Sequence, residues 1–90
     1  MKAMPLKQGE AQLFAIAQRK RDGELKLLTW KQDRSVSVAR VGDAIILREQ
    51  GFLNQELTFS SPSELKHELK AACDREFPRS HRVKVAQVAQ

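Results

Sequence analysis

The chain has ninety residues, 41% of them hydrophobic, and 16 basic against 11 acidic residues give it a formal charge of +5. That is enough for one domain with one modest core, and with only 4 Gly and 3 Pro it is not a linker or a disordered tail. No apolar run reaches the ~20 residues that span a bilayer, the opening MKAMPLKQGE leads into no secretory signal, and the single Cys73 agrees with a reducing compartment. A cytoplasmic protein with no membrane attachment is expected.

Residues 1–9 lack periodicity and read as a flexible N-terminal arm ahead of a single small domain over 10–90. From Gln12 two readings compete. Asp22-Gly23 between apolar runs is a hairpin signal, because Gly accepts the positive φ of a tight turn. It would pair Gln12–Arg19 with Glu24–Gln32. Alternatively, Leu13, Ile16, Ala17 and Lys20 fall on helical spacing, giving a short amphipathic helix near Gly9–Lys20.

The stretch SVSVARV from Ser35 is β-branched and alternates, with Val36 and Val38 on one face. Gly42-Asp43 turns the chain into AIILRE, a central strand apolar on both faces at Ile45, Ile46 and Leu47. After Gly51, LNQELTF alternates with Leu53, Leu57 and Phe59 inward. Short links make successive strands antiparallel. Ser61 then offers an N-cap, Pro62 the first helical position and Glu64 a capping box. Leu65, Leu69, Ala72, Cys73 and Phe77 form one apolar stripe, so a helix over 61–77 needs a surface to cover. Pro78 stops it, and residues 82–88 can return as a strand with Val83 and Val85 inward and Arg82 and Lys84 outward. The expected fold is α+β: an antiparallel meander of four or five strands packed by one C-terminal helix.

Catalytic signals are missing. The chain has no phosphate loop, nucleophile elbow or metal-binding helix motif, and no catalytic residue, metal ligand or cofactor is assigned. His67 sits among charged neighbours and His81 among arginines. Cys73 lies on the apolar stripe, where a free thiol packs as a small hydrophobe. A non-enzyme is expected.

The cations cluster twice, at Arg19, Lys20, Arg21, Lys26, Lys31 and Arg34, and at Arg75, Arg79, Arg82 and Lys84. Phosphates need positive donors along a track, and unpaired bases add a need for aromatic faces. Trp30 falls on the strand face of Lys26 and Leu28. Its size favours core packing, whereas an uncovered face would offer it for stacking. The candidate nucleic-acid contacts are Lys26, Trp30, Lys31, Arg40, Arg48, Arg79, Arg82 and Lys84.

Over residues 34–77 the order of elements resembles the positive-cofactor-four type of transcriptional coactivator, a small single-stranded-DNA-binding family. The likeness rests on RSVSV from Arg34, on GDAIILRE from Gly42 and on LTFSSPSELK from Leu57. It implies a curved sheet that grips single strands, a dimer built by helices, and Arg48 as a binding position. That family's Gly/Lys-rich loop before the last strand is replaced here by Gly51-Phe52-Leu53-Asn54, and the basic segment after Pro78 has no counterpart there. Two functions follow as expectations. One is a nucleic-acid-binding module that prefers single strands. The other is a protein-interaction or homodimerisation module, to which Phe52, turned outward, would contribute.

Overall fold

The computed structural model describes residues 2–19, 21–78 and 81–88, the last two of these by backbone alone. In chain order the elements are β1 (Lys2–Pro5), α1 (Leu6–Gln18), β2 (Gly23–Leu28), β3 (Ser35–Val41), β4 (Ala44–Gln50), β5 (Gln55–Phe59), α2 (Pro62–Glu76) and β6 (Arg82–Val88). The strands form one open antiparallel sheet in the order β1-β6-β2-β3-β4-β5. The class is the expected α+β, with six strands and two helices among the described residues in place of four or five strands and one helix.

Both helices lie on the same side of the sheet. α1 covers β2 and β3, and α2 covers β4 and β3. Alternation along each strand selects the residues beneath them. Leu25 and Leu27, Val36 and Val38, Ile45 and Leu47, and Val83 are buried against Leu13 and Ile16 of α1 and Leu65, Leu69 and Ala72 of α2. Gly9 lets α1 approach closely: a Cβ there would lie 3.0 Å from a Leu27 methyl and 3.3 Å from one of Val83. Cys73 is buried in this layer, and desolvation pushes its thiol up to about 12. It packs as core, as its position on the stripe predicts.

The N-terminal third departs from the sequence reading. Residues 2–5 are not an arm: they pair with Arg82–Val85 of β6. Residues 6–18 take the helical alternative, so the hairpin between Gln12–Arg19 and Glu24–Gln32 does not form. Asp22 has a tertiary role instead, its carboxylate accepting from the Gly42 N–H at 2.8 Å.

At the other end, α2 starts where expected with Pro62 in its first turn, but Ser61 gives no side-chain cap. Its hydroxyl meets that of Ser63, and Ser60 reaches Glu64 at 3.4 Å. Leu53 precedes β5 and is partly exposed; Leu57 and Phe59 face inward as read.

Two fully buried carboxylates lock the β4–β5 side. Glu49 receives Arg75 through two bonds of 2.7 and 2.9 Å and Gln55 at 3.0 Å. Burial raises its pKa, but bonding to Arg75, with further contributions from Glu76 and Gln55, holds it below the ordinary value of 4.5. Glu76 accepts the backbone N–H groups of Phe52 and Leu53 at 2.9 and 3.1 Å. Gly51 is required here. Its φ is 140°, and a Cβ would come within 2.5 Å of the Glu76 carboxylate.

Candidate functional site

Among the described residues, no element covers the side of the sheet away from the helices. Its side chains alternate with the core residues. They are Arg82, Lys84 and Ala86 on β6, Glu24, Lys26 and Leu28 on β2, Ser35, Ser37 and Ala39 on β3, Ile46, Arg48 and Gln50 on β4, and Glu56 and Thr58 on β5. Register aligns them in rows. Lys84, Leu28, Ser35 and Gln50 make one row, and Ala86, Lys26, Ser37, Arg48 and Glu56 the next.

Charge is divided unevenly between the two layers. The helices carry four basic and five acidic residues, and the rest of the chain twelve and six. The positive excess therefore lies entirely outside the helices. On the open face the four cations Lys26, Arg48, Arg82 and Lys84 outnumber the carboxylates Glu24 and Glu56.

Of the eight candidate contacts, Lys26, Arg82 and Lys84 share this face. Among the described residues none of the three pairs with a carboxylate. Trp30 and Lys31 lie on the turn joining β2 to β3. Trp30 is 55% exposed, so core packing is overturned: β2 ends at Leu28, and the turn carries the indole beyond the layer that α1 covers. The indole leans back over β6, with the Lys84 ammonium 5.2 Å from the ring centroid, in cation–π range.

The turn is firmly built. The Thr29 N–H donates to the Arg34 carbonyl at 3.1 Å and the Gln32 N–H to the Thr29 carbonyl at 2.9 Å, and Gln32 has a left-handed φ of 59°. The Thr29 hydroxyl donates to Asp33 at 2.7 Å, which lowers that carboxyl's pKa. Trp30 is thus presented on an ordered support.

One candidate is corrected and another is partly engaged. Arg40 has the parity of Val36 and Val38, so it points to the helix side, where its guanidinium donates to the Ala17 and Gly42 carbonyls and ties down the end of α1. Arg48 is on the open face but engaged: it meets Glu56 at 2.8 Å and reaches across β3 to Glu24 at 3.6 Å. Arg79, like Lys20 of the first cluster, lies outside the described residues.

The sequence reading missed the serines. On β3 the open-face side chains are the smallest of the sheet, so Lys26 on one side and Arg48 and Gln50 on the other wall a hollow of about 180 Å³ floored by Ser35 and Ser37. The signal was present in SVSV, where each small polar residue alternates with a valine. Among the described residues no group of three or more His, Cys, Asp or Glu side chains is placed to hold a metal ion, and no helix is long and apolar enough to cross a membrane.

No protein-family model, curated protein or solved structure matches the chain.

Proposed function

We propose that the uncovered sheet face binds nucleic acid, with a preference for single strands and without catalysing a reaction. One observation carries this reading: Lys26, Arg82, Lys84 and an exposed Trp30 lie together on a face that no helix covers, in a molecule whose helices carry none of the positive excess. Phosphates would be met by the cations. A duplex hides the faces of its bases from a flat sheet, whereas an unpaired strand offers them to the indole, and such stacking contributes ~1–3 kcal/mol per base. The resemblance to the positive-cofactor-four type points the same way, and Arg48, the position it singles out, commits its Nε to Glu56 and keeps its remaining N–H donors, one of them 3.6 Å from Glu24.

The test is fluorescence anisotropy with a labelled oligothymidine about twenty nucleotides long. Contact with about four phosphates predicts a slope near −2.8 in log affinity against log salt, hence a loss of about fiftyfold between about 50 and about 200 mM. Replacing Lys26, Arg82 and Lys84 together by Gln should flatten that slope. No detectable binding at low salt removes the proposal.

A second reading, a homodimer, is favoured by the free edge of β5. Phe52, 70% exposed, and Leu53 lie just before this strand on a loop pinned by Glu76. Two β5 strands pairing antiparallel about Leu57 would set Glu56 opposite Thr58 of the other copy, avoiding a like-charge contact. Light scattering behind size exclusion would read a doubled mass, and a strict monomer ends this reading.

A further inference from the structure

The hollow over β3 asks for a ligand of particular chemistry. Ser35 and Ser37 are 7% and 3% exposed, and among the described residues no buried polar side-chain atom lacks a partner, so their hydroxyls open onto the hollow and are free to bond to what fills it. Around them stand Lys26, Arg48 and Gln50, so five side chains that can donate converge on one space. The single carboxylate on its wall, Glu24, is turned toward Arg48. Donors in excess of acceptors, two of them cationic, suit an oxyanion. The volume equals that of about six waters in the liquid, room for one tetrahedral anion with part of its hydration.

Register adds direction. The row of Ser35 runs through Leu28 to Lys84, two strands away and thus ~10 Å distant, and Lys84 carries the Trp30 indole. An anion over the serines therefore lies within one short span of the stacking surface.

We infer that the Ser35–Ser37 hollow is a phosphate seat, in which Lys26 and Arg48 supply charge and the two hydroxyls and the Gln50 amide supply geometry. This rests on the nucleic-acid reading for its natural ligand, a backbone phosphate of the strand whose base meets Trp30. A free phosphate monoester shares the chemistry.

Two titrations of the whole chain separate these cases. Inorganic phosphate, followed by amide chemical shifts at matched ionic strength against chloride, should move residues 26, 35, 37 and 48 and saturate. In the Ser35→Ala/Ser37→Ala variant the shifts should vanish. Oligothymidine affinity should fall about tenfold with an unchanged salt slope, since the groups lost are neutral hydrogen-bond donors. If that variant does not fold, Gln50→Ala on the exposed rim serves instead, with a loss of about threefold.

Phosphate shifts without oligonucleotide binding uphold the seat and assign it to small phosphate monoesters, while the strand reading falls. Oligonucleotide binding with no phosphate shifts at these residues overturns the seat alone. A double alanine variant that binds phosphate and oligonucleotide like the parent also overturns it, leaving the serines as small spacers that let Arg48 cross to Glu24.

Discussion

The two sides of β3 differ in what they carry and in what they touch. Val36, Val38 and Arg40 face the helices: the valines fill the core and Arg40 fastens the last turn of α1. Ser35, Ser37 and Ala39 face away, and their small size leaves a trough between taller cationic neighbours. Both sides are nearly inaccessible, for opposite reasons. One is covered by two helices, the other only by side chains of adjacent strands, which can move without unfolding anything. Low exposure on a strand therefore does not by itself mean core. The covering element decides.

Substitutions on the two sides should accordingly separate stability from binding. The largest effect belongs to the covered side. Leu47→Ala, opposite Val38 and fully buried, should cost ~2–5 kcal/mol in urea unfolding. An equally large loss on truncating Lys26 would erase the contrast.

Next comes the buried carboxylate. Glu49→Ala strands a partly solvated Arg75 and should cost about 2–3 kcal/mol, less than for a fully buried pair. Glu49 also sets an acid limit. Its folded pKa is below the ordinary 4.5, so its stabilisation is complete above that pH and fades as pH falls through the lower folded value. Glu49→Gln should flatten stability against pH in this window, and an unaltered curve would show that the acid sensitivity arises elsewhere.

The open side follows. Trp30→Ala should leave the unfolding midpoint nearly unchanged and weaken oligothymidine binding by ~1–3 kcal/mol. Intact affinity would remove the indole from the interface.

The smallest effect sharpens the comparison within one strand. Arg40→Ala should lower stability by about 1 kcal/mol through loss of its two carbonyl contacts and change affinity less than Lys26→Gln does. The reverse order would return Arg40 to the binding surface.

Much of the sheet could be read locally. β3 and β5 alternate and β4 reads as an apolar central run, α2 announces itself with Pro62 and a one-sided stripe, and the inward valines of β6 were legible as Val83 and Val85. What escaped depends on partners distant in sequence. β1 is four residues long and exists because β6, some eighty residues later, gives it a neighbour. The helical stripe of α1 and a strand pairing are both compatible with the residues around Gln12, and packing on β2 and β3 selects the helix. Asp22-Gly23 does not make the tight turn its residues suggest: Gly23 opens β2 without a positive φ, and Asp22 holds Gly42.

The binding face was half legible. Lys26, Arg82 and Lys84 follow from alternation. Arg40 could have been excluded by counting two residues from Val38. Trp30 misled because its bulk suggests burial, while its place past the end of β2 decides against it. The serine floor was hidden by an assumption that a β-branched strand matters only for its valines.

On the proposed function, polyanions meet the uncovered face and not the helices. Amide chemical-shift mapping during an oligothymidine titration tests it most directly. Changes should concentrate on β2, β6 and the Thr29–Arg34 turn, led by residues 26, 30 and 84, with α1 and α2 unmoved. Shifts centred on Lys7, Lys66 and Lys70 of the helices would contradict it.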